Sequence, residues 1–265
     1  MINKEALIND INTIRKNSPL VHNITNFVVM NNTANALLAL GASPVMAHSI
    51  DEVEDMVGIA SSLVINIGTL EKPWVKSMIK AGKSALKLKK PLVLDPVGAG
   101  ATPYRIKTSM EIIKQCRPTV IRGNASEISA LICSSDKTKG VDSTLESDLA
   151  LTAAKTLSKQ TNAVVVVSGA TDYIVKDDNI ECIKNGDAMM TKVTGLGCTA
   201  TAIVGAFCAV NSNYFEAATH AMCIMGIAGE RAVAKSQGPG TLQLNFLDEL
   251  YNLKEDEIVN AIRQN

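Results

Sequence analysis

The strongest constraint on the fold is an unbroken run of four valines at positions 164–167. β-Branched side chains favour an extended chain, and a strand that is apolar on both sides is typical of a parallel sheet buried between helices. Shorter apolar runs occupy Leu63–Ile67 and Leu92–Leu94, and segments with helical spacing of apolar residues separate them. This alternation predicts an α/β fold with a mainly parallel central sheet flanked by helices.

The elements follow one another without a low-complexity linker, which predicts a single domain over residues 1–265. A polar and charged span from Ser134 to Ser147 is interpreted as a surface connection, and Gly238-Pro239-Gly240 as a break before the last helix. Expected helices cover 3–15, 33–40, 51–61, 75–88, 105–115, a segment from about 125, 148–158, 199–210, 214–234 and 244–263; expected strands cover 19–24, 43–46, 63–67, 92–94, 120–121 and 163–167, with a hairpin of 172–175 and 181–183.

Charge and composition exclude several classes of partner. Lys and Arg together number 26, as do Asp and Glu, so the formal net charge is zero, and aromatic residues make up only 3% of the chain. Neither a broad basic surface for nucleic acid nor a base-stacking platform is therefore expected. No apolar run reaches the roughly 20 residues needed to span a bilayer, and the first residues lack the apolar core of a signal peptide. We expect neither a nucleic acid nor a membrane partner.

The cysteines indicate a reducing compartment. They lie far apart and form no C-x-x-C pair, which is typical of reduced cytosolic thiols rather than of a disulfide framework or a zinc site. The histidines at 22, 48 and 220 also lack the spacing of zinc ligands. A cytoplasmic location is the prediction. The cysteines are Cys116, Cys133, Cys182, Cys198, Cys208 and Cys223.

The stretch Val193–Ala202 combines two glycines with a run of small residues before an apolar segment. This pattern predicts a tight loop that leads into a buried helix, whose first N–H groups lack intrahelical partners and favour an anion. Cys198 lies at that position and is a candidate member of a phosphate-handling centre. The alternatives are that the loop only connects two elements, and that Cys198 only fills space at a helix start.

Polar side chains follow several of the expected strands, where ligands bind in sheets of this type. Asp95 and Glu127 could hold Mg²⁺ through water, because magnesium takes only one or two protein carboxylates. Arg122 could stabilise the charge of a transferring phosphoryl group. Each also has a plain alternative: Asp95 as a turn former before proline, Glu127 as a favourable helix N-terminal residue, and Arg122 as half of a surface ion pair.

Six segments spread over nearly the whole chain form a specific series. They are Pro-Leu-Val-His-Asn-Ile-Thr-Asn-Phe-Val from Pro19, Ala-Leu-Gly-Ala-Ser-Pro-Val-Met from Ala39, Asn-Ile-Gly-Thr-Leu from Asn66, Leu-Asp-Pro-Val-Gly-Ala-Gly-Ala-Thr from Leu94, Ile-Arg-Gly-Asn-Ala-Ser-Glu-Ile from Ile121 and Thr-Gly-Leu-Gly-Cys from Thr194. This series resembles the hydroxyethylthiazole kinase family of thiamine salvage. The resemblance implies the three-layer fold of the ribokinase-like superfamily.

The resemblance also implies an activity. Members of the family phosphorylate the primary alcohol of 4-methyl-5-(2-hydroxyethyl)thiazole with ATP and Mg²⁺, as homotrimers with three active sites at subunit interfaces. Two alternatives stay open: a ribokinase-like kinase of a related heteroaromatic alcohol, such as the hydroxymethylpyrimidine of the same pathway, and a ligand-binding homologue without catalysis. Retention of Asp95, Arg122 and Glu127 argues against the second.

Site roles are carried over position by position. Met46 resembles the thiazole contact, with Asn26 and Val28 nearby, and Gly195 resembles a further substrate contact. The remaining matches are Arg122 and Ser168 as nucleotide-phosphate contacts and Asp95 and Glu127 as the magnesium side. The family often has Thr at the position of Ser168, and either hydroxyl can donate to phosphate.

Cys198 occupies the place where the wider superfamily has an aspartate base, as it does in other thiazole kinases. A thiol accepts a proton only as thiolate, which a helix N-terminus favours and the charge of ATP opposes. Catalysis is therefore expected to rest mainly on positioning and on charge stabilisation by Mg²⁺, Arg122 and the loop amides.

Overall fold

The computed structural model describes residues 2–132 and 143–263, with the backbone alone over 143–148. Its centre is one sheet of eight strands in the order β2-β1-β3-β4-β5-β6-β7-β8. The first six strands are parallel, and β7 and β8 extend the sheet as an antiparallel hairpin. The strands are β1 Leu20–Ile24, β2 Ser43–Val45, β3 Ser62–Asn66, β4 Leu92–Asp95, β5 Val120–Asn124, β6 Val164–Ser168, β7 Asp172–Lys176 and β8 Asn179–Ile183.

Helices cover both faces of the sheet, which confirms the predicted α/β class. One layer contains α1 Lys4–Asn17, α2 Met30–Leu40, α8 Leu196–Cys208, α9 Tyr214–Ala234, α10 Pro239–Asn252 and α11 Glu255–Ala261. The other contains α3 Val53–Ile59, α4 Lys72–Lys87, α5 Pro103–Cys116, α6 Ala125–Ile132 and α7 Ser143–Thr161. Each layer packs its apolar residues against its own face of the sheet, so there are two cores.

The valine run shows why both cores form. Val164 and Val166 point into the core with α8 and α9, whereas Val165 and Val167 point into the core with α7. Successive side chains of a strand alternate between faces. A strand between two helical layers therefore needs an apolar residue at every position.

Several boundaries differ from the sequence prediction, and three of these differences concern the glycine loop and the last part of the chain. Helix α8 begins at Leu196, three residues earlier than predicted, so Cys198 lies in its first turn. The Gly238-Pro239-Gly240 triplet forms the start of the next helix rather than a break before it. Pro239 is the first residue of α10, where its fixed φ suits a helix start. The predicted helix 244–263 is two helices, because the backbone leaves the helical conformation at Leu253, whose side chain is buried, and is extended at Lys254.

The predicted surface connection lies largely outside the described residues, over 134–142. Its last part is helical, since α7 begins at Ser143 rather than at 148. Within 2–132 and 143–263, the helices are too short or too polar to cross a bilayer.

Close packing of α8 on the sheet gives a first test. A Cβ added at Gly205 would lie 2.5 Å from Cγ2 of Val64, whereas one added at Gly58 of α3 would meet no atom within 4 Å. We expect Gly205→Ala to lower the free energy of unfolding by about 1–3 kcal/mol through overpacking. Gly58→Ala, the matched control, should leave it unchanged or raise it by about 0.5–1 kcal/mol through helix propensity. Denaturant unfolding of both variants measures this, and equal stabilities would contradict the close contact.

Candidate active site

The predicted site residues gather at one edge of the sheet. Asp95 ends β4, Arg122 lies within β5 and Ser168 ends β6. Asn26 follows β1 by two residues. Because these strands are parallel, their carboxyl ends meet at the same edge, and the N-terminus of α8 lies over it.

Asp95 is the most buried acid of this edge, with a side chain 1% exposed. Its Oδ2 accepts hydrogen bonds from Nδ2 of Asn66 at 2.9 Å and from Oγ1 of Thr201 at 2.7 Å. Burial raises the pKa of Asp95 to about 6, while the charge of Arg122 and the two donors oppose the rise. Burial makes the ionised form of this carboxylate unfavourable, and a bound cation would stabilise it.

A chain of amides links Asp95 to the thiol of Cys198. Asn66 receives a hydrogen bond from Nδ2 of Asn26 at 2.9 Å, and the same Nδ2 lies 3.5 Å from Sγ of Cys198. Burial, followed by the charge of Asp95, raises the pKa of the Cys198 thiol, and the amides of Asn66 and Asn26 oppose that rise. The thiol is therefore protonated near neutral pH, and little thiolate is present to accept a proton.

Two glycines allow the start of α8 to lie where it does. Gly195 has a left-handed φ of 89°, and a Cβ there would lie 2.6 Å from Cγ1 of Val29. A Cβ at Gly197 would lie 3.1 Å from Nη1 of Arg122. The guanidinium of Arg122 is thus directly against the first turn of α8, whose free N–H groups carry the positive end of the helix dipole.

Arg122 and Ser168 form the second part of the site. Nη2 of Arg122 donates to Oγ of Ser168 at 2.7 Å, and Nε of Arg122 is buried without a hydrogen-bond partner among the described residues. Asp172 at the start of β7 is also near: burial raises its pKa to about 6, opposed by the Gly169 N–H and the charge of Arg122. A guanidinium with a free buried donor beside a helix N-terminus is suited to bind an anion.

Glu127 is held by the backbone on both sides. Its Oε1 accepts from the N–H of Gly98 at 2.8 Å, and its Oε2 accepts from the N–H of Asn124 at 2.8 Å. The side chain of Asn124 in turn accepts from the Glu127 N–H at 2.9 Å, which forms a reciprocal cap at the start of α6. Glu127 therefore ties the loop after β4 to the end of β5, and each oxygen retains a lone pair for a further partner.

The remaining predicted substrate contacts lie at the rim. Val28 is 67% exposed, and its N–H donates to Oδ1 of Asn26 at 3.1 Å. Met46 is half-buried one residue beyond β2. The next carbonyl, that of Ala47, is bonded to Nε2 of His22 at 2.7 Å. Val28 is thus bonded to Asn26, whereas the segment with Met46 is held by a separate hydrogen bond to His22 of β1.

Sequence reasoning missed several residues of this edge. Asn66 could have been recognised, since it lies at the end of an expected strand. Arg105 carried no local signal: its guanidinium donates to the carbonyls of Ile67, Gly68 and Val97 at 2.7–2.9 Å and so joins the loops after β3 and β4. Thr201 and Asp172 are likewise identified only by their tertiary contacts.

Comparison with solved structures defines the fold class. The chain matches a ribokinase-like superfamily protein from Enterococcus faecalis with a TM-score of 0.64 at 13% identity, covering 89% of this chain and 88% of that one. A closer match is the hydroxyethylthiazole kinase structure from Pyrococcus horikoshii, with a TM-score of 0.91 at 42% identity over 98% of both chains. The fold is therefore that of the ribokinase-like kinases, as the resemblance implied.

Sequence comparison narrows the class to a family. The hydroxyethylthiazole kinase family model matches residues 11–256. The hydroxyethylthiazole kinase of Leptospira biflexa is 60% identical over 251 residues, which are 95% of this chain and 94% of that protein. This chain belongs to the hydroxyethylthiazole kinase family.

The buried carboxyl of Asp95 gives a second test. Its pKa rises from 3.8 to about 6 on folding, so the folded state binds the proton more tightly and the ionised group costs stability. The loss of stability develops as the pH rises from 3.8 to about 6 and is complete above that range. Asp95→Asn should therefore raise the free energy of unfolding of the ligand-free protein by about 1–3 kcal/mol at pH 8, with little gain at about pH 4.

Unfolding curves of Asp95→Asn at the two pH values provide the measurement. Asp178→Asn is the control, because the ion pair with Lys159 lowers the pKa of Asp178 and its removal should bring no gain at pH 8. A less stable Asp95→Asn protein at pH 8 would mean that the carboxylate stabilises the ligand-free fold.

Proposed function

We propose that this protein transfers the γ-phosphoryl group of ATP to the primary alcohol of 4-methyl-5-(2-hydroxyethyl)thiazole, with Mg²⁺, as a step of thiamine salvage. The observation that carries the proposal is the meeting of Cys198 with Asp95 and Arg122 at one sheet edge, in a chain of this family. The edge combines an anion-binding part with a buried acid, as phosphoryl transfer requires.

The phosphate side is formed by Arg122, Ser168 and the start of α8. The unpartnered Nε of Arg122 and its position against Gly197 support contact with phosphate oxygens. Ser168 orients the guanidinium through its hydroxyl. Because the transition state is loose and its charge lies on the phosphoryl oxygens, preorganised donors at these positions would lower the barrier.

The residues present fit a magnesium ion. Asp95 has one oxygen engaged by two neutral donors, and Glu127 has a lone pair left on each oxygen. Such a pair suffices, since Mg²⁺ takes its other ligands from water and substrate phosphates. When bound, the ion would neutralise the charge of the transferring phosphoryl group. Asp95 and Glu127 would hold it, directly or through water.

The acceptor side is formed by Cys198, Asn26 and the rim residues. Because its pKa is raised, Cys198 keeps its proton and contributes little as a general base. Most of its contribution to catalysis would therefore lie in the alignment of the alcohol. The space beside Gly195 is filled by Val29, so Gly195 would contact the substrate through its backbone. Met46 and Val28 would contact the thiazole ring.

We further propose a homotrimer with active sites at its subunit interfaces. Support comes from apolar surface beside the amide chain: Phe27 is 56% exposed and Val28 is 67% exposed. A second subunit at this rim would bury both side chains and close the acceptor side. Light scattering should give about three times the 28.1 kDa mass of the chain, and a stable monomer would contradict the interface site.

A cytoplasmic location completes the proposal. The reaction uses ATP, and the described cysteines are all free thiols, as a reducing compartment would maintain them.

The activity is tested by mass spectrometry. Incubation with ATP, Mg²⁺ and the thiazole alcohol should yield a product heavier by one phosphoryl group. Hydroxymethylpyrimidine, assayed in parallel, should react much more slowly. A reversed preference would identify a pyrimidine-alcohol kinase, and no product from either would indicate a ligand-binding homologue.

Substitution of Cys198 tests the division between positioning and proton transfer. Cys198→Ala should keep more than about one hundredth of kcat, because a protonated thiol supplies little general-base catalysis. Cys198→Asp should be active at a rate equal to or above that of the parent, since a carboxylate accepts a proton more readily. Cys182→Ala, at a half-exposed thiol of β8, is the control. Near-total loss in both Cys198 variants would show the thiol to be indispensable.

A further inference from the structure

The side chain of Asn66 makes three hydrogen bonds at the carboxyl edge. It is 1% exposed and is paired in register with Asp95 on the adjacent strand. Its Oδ1 accepts from Nδ2 of Asn26 and from the N–H of Gly68, each at 2.9 Å, and its Nδ2 donates to Asp95 at 2.9 Å. These partners fix the orientation of the amide, because only the oxygen can accept from two donors and only the nitrogen can donate to a carboxylate.

Gly68 shows how tightly the neighbouring amide is held. A Cβ at Gly68 would lie 2.6 Å from Nδ2 of Asn26 and 2.8 Å from its Cγ. Any side chain at position 68 would therefore displace the Asn26 amide. The position of Asn26 is thus determined jointly by its hydrogen bond to Asn66 and by the absence of a side chain at Gly68.

Asn26 carries this constraint to the thiol. Its Nδ2 lies 3.5 Å from Sγ of Cys198, and Oδ1 of Asn26 is engaged by the Val28 N–H, so the amide cannot turn without losing a bond. Because the nitrogen therefore faces the sulfur, the thiol has a donor beside it. A donor at this distance favours the thiolate over the thiol.

We propose that Asn66 is a positioning residue that holds Asp95 and Asn26 in fixed relation and thereby sets the hydrogen-bonding environment of the Cys198 thiol. The consequence for catalysis rests on the proposed function, whereas the consequence for the thiol does not. Asn66 acts on Asp95 and Asn26 at the two ends of its amide, and its amide also lies close enough to favour the Cys198 thiolate directly. One change at Asn66 therefore affects the acid and the thiol together.

The test uses the whole protein without substrate and measures alkylation of Cys198 by iodoacetamide at one pH, resolved by peptide mass spectrometry. Asn66→Asp replaces the donor to Asp95 with an acceptor of the same shape. Gly68→Ala displaces Asn26 and leaves Asn66 intact. Both variants should slow alkylation of Cys198 by about three- to tenfold, because the thiolate fraction falls. Cys182 in the same molecules provides the internal reference and should be unchanged.

Matched controls separate this role from general damage. Ser62→Ala lies on the same strand and removes a buried hydroxyl that has no hydrogen-bond partner in the described part of the chain. Gly58→Ala adds a methyl group where none of the described atoms lies within 4 Å. Both should react at Cys198 like the parent. If Asn66→Asp fails to fold, which melting temperatures identify, Asn66→Ser takes its place beside Gly68→Ala, because it removes the amide without adding a charge, and it should slow alkylation of Cys198 in the same way.

The outcomes are distinct. Alkylation rates of Cys198 within about twofold of the parent in the folded variants would overturn the proposal. A parent with no kinase activity but slowed alkylation in both variants would support the positioning role and contradict the proposed function. In the active enzyme, Asn66→Asp should lower kcat more than it raises KM for the alcohol, since it misaligns groups without removing a side chain that contacts the thiazole. Gly68→Ala displaces Asn26, which is itself a proposed substrate contact, so this variant should lower kcat and raise KM together.

Discussion

The buried carboxyl of Asp95 is the interaction on which the carboxyl edge of the sheet depends. A charged group without water needs donors from the protein. Asn66 of β3 and Thr201 of α8 provide them. Thr201 reaches Asp95 only because α8 lies close to the sheet, which Gly205 permits. Cys198 is one turn earlier on the same helix, so the packing that satisfies Asp95 also places the thiol over the strand ends.

The same burial sets the electrostatics of the site. Removal from water raises the pKa of Asp95, Asp172 and Cys198, while Arg122 opposes the rise at each of them. Groups with pKa values shifted in this way concentrate at functional sites, where they are arranged for a ligand rather than for the stability of the fold. Arg122 is the shared counter-charge, and it also faces the start of α8.

Glycines in the family motifs leave space that side chains from other parts of the chain occupy. Gly68 leaves room for Asn26, Gly195 for Val29 and Gly197 for Arg122. Local sequence shows that a tight loop occurs at these positions. It does not show which side chain occupies the space, because the partner comes from a distant part of the chain.

Much of the fold was predictable because its signals are local. Alternating apolar strands and amphipathic helices indicated the parallel sheet, and the valine run indicated burial on both faces. Boundaries were less predictable where a triplet such as Gly238-Pro239-Gly240 can either break a helix or begin one. The rule that ligands bind at the carboxyl ends of parallel strands led to Asp95 and Ser168, which end β4 and β6. It also led to Arg122, which lies within β5 rather than after it as expected. Their roles in catalysis remain predictions.

The sequence by itself therefore determined the class of fold, the edge at which the candidate site residues lie and, through its motifs, the family. Tertiary structure decided which groups act on one another. Thr201 and Arg105 carry no local signal of function, since their partners lie 106 and up to 38 residues away along the chain. The state of the Cys198 thiol was decided in the same way, because burial and neighbouring charge, rather than residue type, set the pKa of a titratable group.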